Sequence, residues 1–549
     1  MVDMLIIRLL GKSFPRQTRV AFWSSGPRKT VNKAPLQGRK ISEITATHTN
    51  YDYFSWLNKF GPCFPVHGDK VLVLTEPTQY FEVLKLKIKK AKKRVILASL
   101  YLGTGSLEDE LVDCLQEACA NAAKEDNSNF KVRVLIDYTR GSRGKDKSSR
   151  TMLQPLLCEY GGNVQIALYH TPDLRGLLKK IVPERFNETI GLTHIKAYIC
   201  DDSVMISGAN LSDNYFVNRQ DRYILFNECG DLADFFDKMI QTVSKFSFQL
   251  KPDNSVTLHP DWSLHPFKDN GDMFKREAKE QILKILENQK LPADDTSFSS
   301  ARIFKRHNKQ RKYISLPRHS SYTKNGNSIN TNRTPDKPHD TWIYPLIQMG
   351  PFGIIFDEYA TLSLLREAAV GDEILLASGY FNLTDHYLRV ILQQSFARYK
   401  ILMASPEVNG FYGAKGIAGS IPAAYIHIAK QFYKQLMKYG QTQRIQMSEY
   451  YRQDWTFHVK GLWYYLPNQA LPSLTLVGSP NFGYRSVYRD LECQTAIVTD
   501  NTKLQEQLRQ EHVRLYQSSN PVKEDLWRRR DRHVPTWVKL VTSVIKNFF

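Results

Sequence analysis

The chain has 549 residues, 42% of them apolar, and a formal net charge of +20. That length supports two or more domains with their own cores, and the absence of any uncharged apolar run of about 18 residues excludes a spanning helix. The charge favours an anionic partner, whether nucleic acid, acidic lipid or a phosphorylated substrate. Seven cysteines without a CxxC spacing speak against structural zinc, a disulfide framework and an oxidising compartment.

Between Met4 and Ser42 there are nine Lys or Arg residues and no acid, mixed with apolar residues, Ser and Thr. This is mitochondrial presequence composition, so residues 1–45 are expected to be a leader. Strands and helices then alternate. "KVLVLTEP" (70–77) reads as a strand, 79–93 as an amphipathic helix and "RVILASLYLG" (94–103) as a buried strand. A helix over 107–125 and apolar strands near 130–141 and 163–172 follow, so a largely parallel α/β sheet is expected. The strand carrying His194 comes next, then a hairpin partner over 203–209.

The second half rhymes with the first. VILASLY (95–101) and ILLASGY (374–380) differ little, and each precedes a helix, an apolar strand (131–137; 399–405) and a strand carrying His-x-Lys. This predicts a domain-scale duplication, with halves over 60–250 and 340–515. Between them, 301–333 holds nine basic residues and no acid, which marks 296–338 as a basic flexible insertion. The C-terminal segment, 520–549, has an Arg cluster and then a helical pattern with Trp537, Val541, Val544 and Phe548 near one face. That pattern fits an interfacial anchor on an anionic bilayer and equally a helix packed on the core.

Residues two apart in a strand share a face, so His194 projects with Lys196 and His458 with Lys460. An imidazole serves as nucleophile or proton donor, and an ammonium neutralises phosphate oxygen. Asn210 in "SGAN" and Asn481 in "GSPN" end small-residue turns that let backbone approach a ligand, and each amide can donate to a phosphate oxygen. Eleven residues past each Asn stands a carboxylate, Asp221 or Glu492, able to fix an imidazole tautomer. Arg485, beside Asn481, is a candidate phosphate fork. The glycine-rich loop 410–422 with Lys415 has no Walker spacing, and "LYLGTG" (100–105) has no diagnostic pattern.

The pattern H-x-K-x4-D followed by G-S-x-N resembles the phospholipase D superfamily. The first copy fits through His194, Lys196 and Asp201, with Ser207 and Gly208 exchanged and one residue early. The second fits through His458, Lys460, Gly478, Ser479 and Asn481, with Tyr465 where the acid would stand, which argues that Asp201 is structural. Within the superfamily the chain most closely resembles the two-motif phosphatidylglycerophosphate synthases of mitochondria. The segments that carry this are "FPVHGDKVLVLTEPTQYFEVL", "HIKAYICDDSVMISGANLSDNYFVNRQDRY" and "SPNFGYRSVYRDLECQ".

The resemblance implies two phospholipase D-like domains about a pseudo-twofold axis, with both His-Lys-Asn sets around one phosphate. It implies phosphatidyl transfer from CDP-diacylglycerol to sn-glycerol 3-phosphate through a phosphatidyl-histidine, with His194 as nucleophile and His458 as acid and base. The near-symmetry leaves the exchanged assignment open. Catalysis is then expected from His194, Lys196, Asp201, His458 and Lys460, supported by Asn210, Asn481, Ser479, Asp221, Glu492 and Arg485. No metal or other cofactor is required. The expected location is the matrix side of the mitochondrial inner membrane, peripheral and on anionic lipid. A phospholipase D or cardiolipin-synthase-like transferase is the nearest alternative. A nucleic-acid phosphodiesterase or binding protein is permitted by charge, but no base-stacking repeat or nucleic-acid module is present.

Overall fold

The computed structural model describes residues 49–144, 146–288 and 338–548. The expected leader lies outside the described residues, as does the basic insertion except for its last residue, Pro338.

Two large sheets carry the fold. The first orders its strands Phe248–Leu250, Val164–Tyr169, Lys131–Asp137, Arg94–Ala98, Ala197–Cys200, Ser203–Ser207, Tyr223–Phe226 and Val71–Leu74, with Val256–Thr257 at one edge. The second runs Ser519–Pro521, Ile445–Tyr450, Arg398–Ala404, Glu373–Ser378, Lys460–Tyr465, Leu474–Gly478, Leu491–Thr499 and Thr341–Met349, in the same order and directions. The rhyme read in the sequence is therefore a topological repeat. Its central strands are continuous apolar runs because both faces are covered. Arg94–Ala98, for example, is buried from Val95 onward.

The α/β class with mixed sheets is as expected, but the balance of strand directions differs from a largely parallel sheet. Among the described residues, only three adjacent strands in each large sheet are parallel (Arg94–Ala98, Lys131–Asp137, Val164–Tyr169; Glu373–Ser378, Arg398–Ala404, Ile445–Tyr450), and the other strand pairings within those sheets are antiparallel. The cause lies in the connections. Helices Ser106–Lys124 and Ser149–Tyr160 make the long crossovers that parallel neighbours need, while short turns such as Asp201-Asp202 make hairpins.

The halves also exchange ends. Phe64–Val66 pairs with Thr341–Met349 of the second sheet, so the first half gives up the start of the 60–250 interval. The second sheet closes with Ser519–Pro521, just past 515. A shared apolar core lies between the sheets, with Ile96, Ala98, Ile195 and Ile206 from one side and Ile347, Leu375, Trp463 and Val477 from the other. Helix Gly230–Lys245 fills it through Leu232, Phe235, Phe236 and Met239. Separate clusters bind the outer helices to each sheet.

Arg222 ties the halves together. Its fully buried guanidinium donates to the Leu476 carbonyl (2.7 Å), to Thr475 Oγ1 (2.8 Å) and to both oxygens of Glu511 (2.8 Å each), and lies 3.9 Å over the Trp463 ring. Gly461, at φ +120°, makes room for it: a Cβ there would stand 2.1 Å from the Leu476 oxygen and 2.7 Å from Arg222 Nη1.

The C-terminal segment packs on the core by one face. Helix Thr536–Ile545 packs through Val538 and Thr542 but leaves Trp537 50%, Leu540 66% and Val544 59% exposed. The preceding Arg cluster is partly internal, since Arg532 is buried against Glu449 (2.6 Å) and Glu407 (3.1 Å). Among the described residues, no helix is long and apolar enough to cross a membrane.

Candidate active site

The two histidines sit at the seam. Sequence periodicity placed each on a strand with its lysine. Instead His194 and Lys196 precede the Ala197–Cys200 strand, and His458 lies between Thr456–Phe457 and Lys460–Tyr465. The reason is that each histidine segment leaves its own sheet to pair with the other half. His194 N–H donates to the Leu491 carbonyl (2.7 Å), and Leu491 N–H donates to Leu192 (2.9 Å). Thr456–Phe457 pairs with Arg219–Gln220, and His458 N–H donates to the Gln220 carbonyl (2.8 Å). Two buried carboxylates steady the first segment: Asp137 Oδ2 accepts from Thr193 N–H (3.3 Å) and Asp490 Oδ1 from Leu192 N–H (3.2 Å).

The side chains cross in the same way. His194 Nδ1 bonds Glu492 Oε2 at 2.9 Å, and His458 Nδ1 bonds Asp221 Oδ2 at 2.6 Å. Each imidazole is thus oriented by an acid from the opposite half, the reciprocal relation that a twofold arrangement produces. With Nδ1–H given to a carboxylate, Nε2 is the nitrogen left to face a reacting group. Spacing in the sequence singles out both carboxylates but carries no signal for the crossing, which is a contact between residues 298 and 237 positions apart.

The lysines lie beneath the rings. Lys196 Nζ donates to the His194 carbonyl (2.9 Å), and Lys460 Nζ to the His458 carbonyl (2.8 Å) and to Asp221 Oδ2 (3.4 Å). Lys460 Nζ also stands 2.8 Å from His458 Nδ1. That contact faces donor to donor when Nδ1–H points at Asp221, so the carboxylate bond sets the tautomer. Burial and the neighbouring lysine cations push both imidazoles well below their ordinary range, and His194 also opposes protonation of His458. Burial pushes Lys196 down to about 7 and Glu492 up to about 7, and it raises Asp221 against the pull of Lys460.

Asn210 and Asn481 occupy matching positions at the turns after Ser203–Ser207 and Leu474–Gly478. Both are at the buried seam, and in both the amide oxygen has no hydrogen-bond partner. The exchange of Ser and Gly in the first turn has a steric reason: a Cβ on Gly208 would stand 2.6 Å from Asp221 Oδ1 and 2.6 Å from Lys460 Nζ. Ser479 donates to the Cys493 carbonyl (3.2 Å) and accepts from Cys493 N–H (3.1 Å). It braces the Glu492 strand, and its hydroxyl also favours the ionised Glu492 carboxylate. Arg485 pairs with Asp490 (3.1 Å) and acts on His194.

Asp201 does not join this cluster. It sits at the far end of its strand in the hairpin turn, at φ +51°, and its carboxylate accepts from the backbone N–H groups of Lys92, Lys93 and Arg94. The catalytic assignment of Asp201 is corrected to a structural one: it caps the start of the Arg94–Ala98 strand. Tyr465, in the equivalent place, bonds His512.

Several site residues carried no motif. Tyr215 OH lies 3.3 Å from His458 Nε2, and the Tyr380 ring packs edge-on to His458 at 5.5 Å. Tyr425 adjoins Tyr380 at 5.6 Å, and Phe411 of the glycine-rich loop lies 5.9 Å from it. That loop therefore borders the site through Phe411, while Lys415 is exposed. Tyr101 and Tyr380 occupy matching positions, since Ser99 and Ser378 each bond the carbonyl two residues on (3.1 Å in both). The VILASLY/ILLASGY rhyme was the signal that could have found them. The arrangement offers two imidazoles, two lysines and two amides at one buried seam, which suits transfer of an anionic phosphoryl group.

No family model matches the chain. The mitochondrial CDP-diacylglycerol–glycerol-3-phosphate 3-phosphatidyltransferase of Gallus gallus is 49% identical over 548 residues, covering 98% of this chain and 95% of its own length. The Homo sapiens enzyme of the same name is 46% identical over 548 residues (98% and 93%). The Saccharomyces cerevisiae CDP-diacylglycerol–glycerol-3-phosphate 3-phosphatidyltransferase is 33% identical over 511 residues (88% and 89%). Among solved structures, phosphatidylserine synthase from Haemophilus influenzae superposes with a TM-score of 0.62 at 17% identity, covering 91% of this chain and all of that one, a likeness of fold.

Proposed function

The chain belongs to the CDP-diacylglycerol–glycerol-3-phosphate 3-phosphatidyltransferase family and catalyses that transfer in phospholipid synthesis, and from this premise we propose that its two halves divide the chemistry into two displacements at one phosphorus. His194 Nε2 attacks the phosphatidyl phosphorus of CDP-diacylglycerol. The bond to the CMP oxygen breaks, and that oxygen takes a proton from His458 Nε2. The 1-hydroxyl of glycerol 3-phosphate then attacks the phosphatidyl-histidine, gives its proton to His458 and displaces His194. Two easier steps replace one hard one.

The observation that carries this reading is the crossed pair of histidine–carboxylate bonds, which turns one imidazole from each half toward a shared centre. The halves differ at Nε2. His458 Nε2 has Tyr215 OH at 3.3 Å, which suits a group that holds and releases a proton. Among the described residues, His194 Nε2 has no such neighbour, which suits a nucleophile. Burial and then the lysine cations hold both rings well below their ordinary range. The donor's anionic diphosphate offsets those cations and favours the protonated His458 from which the CMP oxygen takes its proton. Lys196, Lys460, Asn210 and Asn481 hold the phosphoryl oxygens, and Glu492 and Asp221 orient the rings.

The substrate lies in a bilayer, and the exposed Trp537, Leu540 and Val544 with Lys539 suit a peripheral, anionic membrane contact. The end of that segment leads to the site: Asn382 donates to the Lys546 carbonyl (2.6 Å), and Lys546 Nζ lies 5.7 Å over the ring of Tyr484, three residues past Asn481. The names of the chicken and human relatives place those enzymes in mitochondria, and we assign this chain to the matrix face of the inner membrane.

The test is turnover of CDP-diacylglycerol with labelled glycerol 3-phosphate, product identified, in His194→Ala and His458→Ala proteins. Each should lose several orders of magnitude. Near-normal turnover in either would end the mechanism. For the membrane contact, Leu540→Asp with Val544→Asp should abolish flotation with vesicles containing cardiolipin. Unchanged flotation would remove that surface from the account.

A further inference from the structure

The two guanidiniums flanking the site are not equivalent. Arg485, on the His194 side, is matched by Asp490 at 3.1 Å. Arg219, on the His458 side, has no carboxylate within ion-pair distance among the described residues. Its Nε donates to Thr456 Oγ1 (2.9 Å), and its guanidinium also bonds Tyr215. Its guanidinium lies 4.6 Å over the Tyr215 ring, with Tyr101 and Tyr380 close by, and it opposes protonation of His458. Gly410 presses on the same group: a Cβ there would meet Tyr380 OH at 2.8 Å and Arg219 Nη2 at 3.4 Å. A partly buried cation without an acid, walled by tyrosines and adjoining the proton-transferring imidazole, is set to receive an anion by its fork.

We propose that Arg219 binds the phosphomonoester of the acceptor, so that glycerol 3-phosphate is recognised by its phosphate while its far hydroxyl reaches His458. This rests on the division of roles proposed above. His458 handles the departing nucleotide and the incoming hydroxyl in turn, so both bring a phosphate to this side. The nucleotide's phosphate is bonded directly to the reacting phosphorus and falls within the Lys–Asn cradle. The acceptor's phosphate is three carbons from its attacking oxygen and needs a separate cation, which Arg219 supplies. Water and neutral alcohols gain nothing from it, so the same residue disfavours hydrolysis.

The test separates the two phosphates. CMP exchange into CDP-diacylglycerol, without acceptor, reports the first displacement. Transfer to glycerol 3-phosphate reports both, and transfer to glycerol reports an acceptor that lacks the phosphate. In Arg219→Gln the KM for glycerol 3-phosphate should rise tenfold or more, the fall in CMP exchange should be several-fold smaller, and the preference for glycerol 3-phosphate over glycerol should shrink. Arg219→Lys, which keeps the charge and loses the fork, should lie between. Equal losses in exchange and transfer would overturn the assignment in favour of the nucleotide phosphate or the frame, and so would an unchanged KM. Absence of CMP exchange in the unaltered enzyme would instead overturn the double displacement and leave the KM comparison to judge Arg219 alone.

Discussion

Asp221→Asn tests the crossing of the two halves most sharply, because Asp221 belongs to the first half and acts on the imidazole of the second. Its Oδ2 lies 2.6 Å from His458 Nδ1 and 3.4 Å from Lys460 Nζ, with the carboxylate buried. The amide keeps the volume but removes the charge and sets an NH2 against the ring, favouring the tautomer with Nε2–H. A charge-assisted bond of this kind contributes about 1.5–3 kcal/mol. The wrong tautomer brings the total to about 4–5.5 kcal/mol, or a kcat lowered by about 10³–10⁴. The loss should fall unevenly. The departing CMP oxygen is weakly basic and needs little help from an acid, whereas the acceptor hydroxyl needs a base. Rapid-quench kinetics should therefore show a burst of CMP, with labelled phosphatidyl group retained on denatured Asp221→Asn protein. Glu492→Gln, which disturbs His194, should show slow CMP release and no burst. A loss under tenfold in Asp221→Asn, or a burst lost along with turnover, would refute the crossed assignment.

Other consequences follow from the same geometry. Gly208→Ala should lower kcat about 10²-fold with an unchanged circular dichroism spectrum, because the new Cβ displaces Asp221 and Lys460. Asp201→Asn should leave kcat within about twofold and cost about 1–3 kcal/mol in urea unfolding, as expected for a strand cap. Glu511→Ala should destabilise by about 3–5 kcal/mol in the same measurement, since it strands the buried Arg222 cation between the halves. Burial lowers Lys196 to about 7 in the free enzyme, so kcat/KM should decline as pH rises through about 7 while the limb in kcat lies higher, because bound phosphate restores the proton. Lys196→Arg should remove that limb from the kcat/KM profile.

Much of this site was legible in the sequence because its parts are local. His-x-Lys, the small-residue turns ending in Asn210 and Asn481, and the carboxylates eleven residues further lie within one short stretch in each half, 194–221 and 458–492. The duplication was legible because it repeats apolar runs as well as motifs, and the identical strand order in both sheets bears it out. The crossing of Glu492 to His194 was not legible, since local patterning does not say which half supplies an acid. Nor was the departure of His194 and His458 from their own sheets, because pairing with Leu491 and Gln220 leaves the same two-residue periodicity as a strand. Tyr215 and Arg219 escaped notice because a buried tyrosine and a lone arginine have no spacing of their own. Asp201 shows the reverse error: a residue inside a catalytic motif whose carboxylate serves a turn.

The central claim is that imidazoles from opposite halves act in succession on one phosphorus, and stereochemistry reads it directly. CDP-diacylglycerol made chiral at the phosphatidyl phosphorus should give product with configuration retained, the sum of two inversions. Inverted product would mean a single in-line transfer from nucleotide to acceptor and would contradict the account.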